Sequence, residues 1–465
     1  MKTVPKKQWS DWIKERLEGR KNIEVKENDG KFYLYEYKNT WDKEKKKPRK
    51  KTQYVGTLKM EKEYAPVVDH GNVSLLYNTI EDKIDLLKKT FPDYWKHLLV
   101  FSMNRTASPM PIKRIPSWFE RTSLSKLLDL EKASSKTIRK ALEEIGKKLD
   151  AQHDFMKTFI NENEFLLYDG SVIYSSSRYN RLLETGYNKE HSLLPKANVA
   201  LLFSKTRNSP VYFKVFFGSV HEVNTVPQII EEIGGKDIFF VTDKGYYKDD
   251  LYDKLHEKKV KFAMPLPRDD RRINYKQRLK GAMQYKKRVI LFTKYVVEEN
   301  KDYFIYHYED QLLKYEETTE YHKLKMAKKK VSFKKNWAGR IAVLSNVNMD
   351  PEELYLTWKS RDEIEKAFHI LQNVLEMDTP HVSNEDVFRG YMFASFISLY
   401  MYYRVMSMIR EKDLLKRLSV EDVLFELSKV MVSGENYKPL EIPKRTRLMV
   451  KALGLENIIT KKGLS

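Results

Sequence analysis

The sequence predicts an α/β fold in which a mixed sheet carries helices on its faces, and three observations lead there. Apolar, aromatic-rich runs follow one another in FLLYDGSVIY and NVALLFSKTRNSPVYFKVFFGSV, which read as three strands with the last two joined by the turn TRNSP. Helical and strand patterns then alternate through VPQIIEEIGG, DIFFVTD, KDDLYDKLHEKK and VKFAMPL. A basic, β-rich stretch from 268 to 340 interrupts that alternation before GRIAVLSN resumes it as a buried strand.

Composition supports a folded chain and narrows its partners. At 465 residues, with 41% hydrophobic and 12% aromatic residues, the chain can bury a sizeable interior and divide into several domains. Lysine and arginine number 86 against 65 aspartates and glutamates, a formal net charge of +21. Such an excess favours a polyanion, nucleic acid foremost, through phosphate contacts and counterion release. There is no cysteine, which excludes disulfides, thiolate metal sites and thiol nucleophiles. The opening MKTVPKKQWSDW lacks the apolar core of a secretion signal, so a cytoplasmic protein is expected. Only residues 390–409 approach a membrane span in length and apolar character. They include Arg404 and several Tyr and Ser, which favours a buried helix and no membrane partner.

Taken in order, residues 1–64 read as a small basic β module. KFYLYEYKNTW and TQYVGTL are its strands, and the run Lys43 to Lys51 between them reads as a loop, either on a DNA backbone or simply solvated. Residues 65–164 are helical, with Ser134 or Ser135 able to cap the last long helix. SLSKLLDLEKASSKTIRKALEEIG has the two-short-helix pattern of a helix-turn-helix, which makes Lys136, Arg139 and Lys140 candidates for contact with a DNA end. Residues 165–267 and 341–410 form the two parts of a core, 268–340 an inserted β-rich basic subdomain, and 411–465 a C-terminal helical region. Three strands followed by alternating helix and strand is the order of a ribonuclease H-like fold.

That order places carboxylates. Asp169 is expected at the end of the first strand and Asp243 at the end of the fourth, and the topology makes those strands neighbours. Two converging oxygen ligands suit Mg²⁺ or Mn²⁺. Each aspartate alone is also consistent with opening a turn, as in the pair Asp169–Gly170. A third carboxylate comes from YLTWKSRDEIEKAFHILQ, read as one helix with Trp358, Arg361, Glu365, Phe368 and Gln372 on one side. Arg361 lies one turn before Glu365, close enough to hold its side chain or to neutralise a phosphate. An ordinary amphipathic helix with a surface ion pair would look the same.

As a set, LLYDGS at Asp169, FFVTDKGYY at Asp243 and WKSRDEIEKAF at Glu365 resemble the DDE transposases of the IS4 superfamily, in particular its IS1634-like group. The resemblance covers about residues 165–410, with strands, spacing, inserted β segment and following helix all in agreement. It implies a ribonuclease H-like core in which Asp169, Asp243 and Glu365 hold two Mg²⁺ or Mn²⁺ ions for in-line phosphoryl transfer. The implied activity is cleavage at the ends of an insertion sequence and joining to target DNA. The implied partners are double-stranded DNA, as terminal inverted repeats and target, and a second copy of the chain; the implied location is a prokaryotic cytoplasm, on the nucleoid when bound.

Within the family's helix motif, the arginine falls on Arg361, while the tyrosine position holds Trp358 and the lysine position Gln372. Arg361 would then contact phosphate near the cut, and Trp358 would keep an aromatic packing role. Relatives carry a base-stacking tryptophan in the inserted segment, a placement held here by Trp337, although a strand residue packed in a core is an equal reading. Glu222, after Gly218, stands where relatives often have an acidic residue. Two other functions fit the same residues: a catalytically silent, transposase-derived DNA-binding protein, and a ribonuclease H-like nuclease that does not join strands.

Overall fold

The computed structural model describes the chain except residues 29–30, 43–45, 59–66, 176–179, 185–194, 221–223, 235–237, 248–250, 298–301, 329–333, 377–381, 383, 434–437 and 462–465. It divides into two compact units, Met1–Pro66 and Val67–Ser465.

The first unit is an antiparallel meander of β1 (Lys2–Val4), β2 (Ile23–Asn28), β3 (Lys31–Asp42) and β4 (Lys47–Leu58), in that spatial order. A short helix, Asp11–Arg16, closes a core made of Trp9, Ile13, Leu17, Ile23, Val25, Leu34 and Leu58. The Lys43 to Lys51 run differs from the expected loop. Lys47 to Lys51 belong to β4 and pair with Lys38 to Asp42 of β3, while residues 43–45 lie outside the described residues. Strand pairing carries the alternation of Tyr33, Tyr35 and Tyr37 onward, and the lysines tolerate it because their charges stay in water.

The second unit begins with β5 (Val67–Asp69) and a helical layer from Gly71 to Lys157. Its expected helix-turn-helix is reduced. The first helix is a single turn, Leu124–Leu127, and the second, Ser135–Gly146, is capped by Ser134, whose side chain accepts from the Thr137 N–H. That second helix buries Ile138, Ala141, Leu142 and Ile145 and crosses the 27-residue helix Glu385–Glu411 in backbone contact. A Cβ at Gly390 would lie 1.8 Å from the Leu142 carbonyl oxygen, and one at Gly146 would lie 1.7 Å from that of Asp386. Glycine is required at this crossing because no side chain fits.

Among the described residues the central sheet has nine strands in the order β11-β12-β13-β14-β10-β9-β6-β7-β8. They are β6 (Phe165–Tyr174), β7 (Lys196–Ser204), β8 (Ser209–Phe216), β9 (Phe239–Val241), β10 (Lys261–Pro265), β11 (Gly281–Tyr285), β12 (Arg288–Val296), β13 (Phe304–Asp310) and β14 (Arg340–Ser345). β6, β9 and β10 run parallel, and the helix Leu251–Glu257 makes the crossover between the last two. β7 is buried almost throughout, as expected of a strand covered on both faces. The strands of segment 268–340 extend this same sheet through β13 and β14 and form no sheet of their own. Between β13 and β14 lies an unexpected 16-residue helix, Gln311–Met326, whose first N–H groups are taken by the Asp310 carboxylate.

β15 (Met431–Ser433) pairs with β5 and with β16 (Lys438–Pro439), tying the start of this unit to its end. The segment 390–409 lies inside the helix Glu385–Glu411 and is largely buried against protein. No helix among the described residues is long and apolar enough to cross a membrane.

Candidate active site

Register brings the two aspartates together. β6 and β9 pair in parallel as Phe165 with Phe239, Leu166 with Phe240 and Leu167 with Val241. The same register carried two residues further sets Asp169 opposite Asp243. Asp169 is not at a strand end, as the sequence suggested, but midway along β6, which continues to Tyr174 because β7 pairs with it over its whole length. Asp169–Gly170 is therefore no turn. Asp243 lies just past the short β9, at the start of the turn Lys244–Tyr246.

Gly170 and Tyr246 hold Asp169. The Gly170 N–H donates to Asp169 Oδ1 at 2.9 Å, and the Tyr246 hydroxyl donates to the same oxygen at 3.3 Å. A Cβ at residue 170 would come within 2.6 Å of that hydroxyl oxygen, so glycine is what admits it. Burial raises the Asp169 pKa, opposed by the Gly170 N–H and Arg361; the nearby Asp243 charge raises it further, and Tyr246 also works against the rise.

The expected single helix over 355–372 is a broken pair, Pro351–Lys359 and Asp362–His369, followed by a wider turn at Ile370–Val374. Asp350 caps the first helix through the N–H groups of Glu352 and Glu353, with Pro351 in the first turn. The break follows from side chains that engage the backbone. The Thr357 hydroxyl donates to the Glu353 carbonyl and the Ser360 hydroxyl to the Thr357 carbonyl, loosening the ladder at Ser360.

The break puts Arg361 at the corner, buried, with its guanidinium between two carboxylates. Nη1 donates to Asp243 Oδ1 at 2.7 Å and Nη2 to Glu365 Oε1 at 3.5 Å. Its side chain is 11% exposed whereas that of Glu365 is 61% exposed, so the arginine is fixed and the glutamate is reachable from solvent. Arg361 Nε is buried and finds no hydrogen-bond partner among the described residues.

Gln372 donates from Nε2 to Ser171 Oγ at 3.0 Å and to the Val172 carbonyl at 3.4 Å, fastening the end of the helix pair to β6 two residues beyond Asp169. Trp358 packs edge-on against Tyr355 and lies under Lys359, its indole N–H buried with no partner among the described residues.

Asp243 and Glu365 thus share one cationic group, while Asp169, opposite Asp243 in register, is held by Gly170 and Tyr246 and feels the Arg361 charge without a bond to it. Oxygen donors of this kind have the chemistry a divalent ion needs. In this arrangement no three carboxylates or histidines among the described residues are close enough to share one ion.

Other candidates lie elsewhere. Trp337 is in a short turn, Lys335–Trp337, half-buried and not in a strand. It stacks on Tyr275 at 5.9 Å between ring centres, with the Lys334 ammonium 3.8 Å from its ring centroid. Lys136, Arg139 and Lys140 are exposed on the helix Ser135–Gly146. Glu222 lies outside the described residues. Sequence reasoning did not single out Tyr246, Ser171 or Tyr275. Tyr246 carried the one available signal, its place three residues after Asp243 on a tight turn.

A family model described as "Transposase DDE domain" matches residues 162–401, just over half of the chain. No curated protein matches it. Among solved structures, one similar in part is the cryo-EM structure of a piggyBac transposase synaptic complex with hairpin DNA. It shares 11% identity and a TM-score of 0.43, covering 77% of this chain and 76% of that one.

Proposed function

Because the chain belongs to the DDE transposase domain family, we propose that it cleaves the ends of an insertion sequence and joins them to target DNA, as a member of the IS4 superfamily's IS1634-like group. The observation that carries this reading is the strand register that sets Asp169 opposite Asp243, with Arg361 linking Asp243 to Glu365. The strand order β8-β7-β6-β9-β10 supports a ribonuclease H-like core.

In the proposed reaction, water attacks the phosphodiester at the element end and breaks its bond to the 3′ oxygen. The freed 3′-hydroxyl then attacks a target phosphodiester and displaces its 3′ oxygen. Asp169, Asp243 and Glu365 would hold two Mg²⁺ or Mn²⁺ ions, which when bound lower the pKa of the attacking oxygen and stabilise the leaving one. Arg361 must first give up Asp243 and Glu365; its guanidinium then pairs with a phosphate oxygen beside the cut. Gly170 and Tyr246 keep Asp169 oriented, and Gln372 keeps the Glu365 helix on β6. Trp337, already stacked on Tyr275, offers a flat ring for an unpaired base, and Lys136, Arg139 and Lys140 offer charges for the duplex backbone. Two ends must be held together, which calls for a dimer on DNA in a prokaryotic cytoplasm.

One observation favours a second reading. A guanidinium lodged between Asp243 and Glu365 is also what a catalytically silent DNA-binding descendant would retain. Supplying a labelled element end and target DNA with Mg²⁺ separates the possibilities. Cleavage with joined product is expected; binding with no cleavage establishes the silent protein, and cleavage without joining establishes a simple nuclease.

A further inference from the structure

The N-terminal unit carries a feature that the transposition chemistry leaves unused. β2 pairs with β3 only over Lys31 to Glu36. Beyond that, apart from the Tyr37 N–H bond to the Asn22 carbonyl, Tyr37 to Asp42 and Lys47 to Thr52 pair with each other as a two-stranded ribbon roughly 20 Å long at a strand's rise per residue. Isolated two-stranded ribbons are marginal in water, and side chains on both faces of this one are exposed.

Its two faces differ. On one, Tyr37 faces Thr52, Asn39 faces Lys50 and Trp41 faces Pro48. The charge there is answered, since Lys50 pairs with Glu24 at 2.5 Å and covers the Tyr37 ring at 4.3 Å. On the other face Lys38 lies directly opposite Lys51, Thr40 opposite Arg49 and Asp42 opposite Lys47, so positive charge predominates. Like charges placed directly across a strand pair are destabilising, and among the described residues Lys38, Arg49 and Lys51 form no ion pair, whereas Lys50 on the first face does. A polyanion lying along this face turns that repulsion into attraction.

We propose that the ribbon Tyr37–Asp42/Lys47–Thr52 enters the major groove of duplex DNA with Lys38, Arg49 and Lys51 against the phosphates that border it. The major groove is about 12 Å wide and admits a two-stranded β-ribbon. The charge complementarity commits the occupant to nucleic acid, and the proposal rests on the transposase reading for its duplex.

The test is duplex binding by the full chain as a function of salt, with the triple variant Lys38→Gln, Arg49→Gln, Lys51→Gln. Removing three phosphate contacts flattens the slope of log K against log salt by about 3 and weakens binding at ~0.1 M salt on the order of 100-fold. Lys38→Arg with Lys51→Arg keeps the charge and restores the slope, which separates charge from folding. Protection of guanine N7 from methylation by the wild type, lost in the triple variant, places the ribbon in the major groove. An unchanged slope, or a loss seen with anionic vesicles and not with DNA, overturns the proposal. A triple variant that cleaves element ends and binds with the wild-type slope sinks the ribbon alone. A wild type that shows the ribbon-dependent slope and cleaves nothing sinks the transposase reading alone.

Discussion

The ribbon and the active-site corner carry the same kind of charge in opposite states. Lys38, Arg49 and Lys51 are solvated and answered by no carboxylate among the described residues, whereas Arg361 is buried and bonded to Asp243 and Glu365. A solvated cation that meets a phosphate gains from the counterions it releases and breaks no ion pair to do so, so nothing within the ribbon opposes such a contact. Arg361 meets one only by leaving two carboxylates uncompensated, so the corner is ready only once something else balances them. The difference teaches that, under the proposed function, binding and cutting would be separable: the ribbon's cations are available as they stand, whereas Arg361 is already engaged by Asp243 and Glu365.

The largest effect that could break this division comes from the carboxylates. Asp169→Ala, Asp243→Ala and Glu365→Ala are each expected to lower cleavage of a labelled element end on the order of 1,000-fold or more while duplex binding at physiological salt persists. Binding lost together with cleavage would mean that the regions are not separate. Next in size is packing. Gly390→Leu drives a side chain into the Leu142 backbone and should cost about 3 kcal/mol or more in a denaturant titration, against roughly 0.5 kcal/mol or less for Lys51→Gln on the ribbon. Equal losses would show that the ribbon's exposure is not what the structure gives.

Protonation sharpens the comparison further. Burial, aided by the Arg340 charge, pushes the His307 pKa down to about 4, below its unfolded value of about 6.5. The unfolded chain therefore takes up this proton first, and stability should fall as pH drops from about 6.5 toward 4. His307→Phe is expected to flatten that part of the pH–stability profile, and an unchanged profile would contradict it. For Asp169 the sign is reversed. Its raised pKa means that the ionised form costs stability above the folded pKa, so Asp169→Asn should unfold at a higher temperature near neutral pH although it cannot cleave. The smallest effects are expected at Gln372. Gln372→Ala removes the bonds to Ser171 and Val172 and should slow cleavage several-fold, on the order of one lost hydrogen bond, while Gln372→Lys adds a cation and should tighten end binding.

What the sequence made legible follows from what is local or repeated. Asp169 and Asp243 were readable as a pair because each comes after an apolar run in strands that pair in parallel, a register that preserves their offset, although Asp169 lies midway along β6 and not at its end. The cap at Ser134 was legible because its chemistry is confined to four residues. The break at Ser360 was not, since it depends on two hydroxyl-to-carbonyl bonds inside a run of helix-compatible residues. The helix Gln311–Met326 was missed because none of its residues is buried, leaving no apolar face to find. The ribbon's length was hidden for a related reason: lysines signal loops, and here strand pairing overrode that preference.

The glycine crossing between helices Ser135–Gly146 and Glu385–Glu411 also bears on the order in which the chain is made. Residues about 240 positions apart share backbone contact there, and the His70 ring lies 3.2 Å from the carbonyl of Ile459, almost at the end of the chain. The early helices therefore leave the ribosome with their apolar faces uncovered, and contacts this distant in sequence form slowly. A chain ending before residue 385 would keep the nine strands of its central sheet and leave the apolar face of Ser135–Gly146 uncovered.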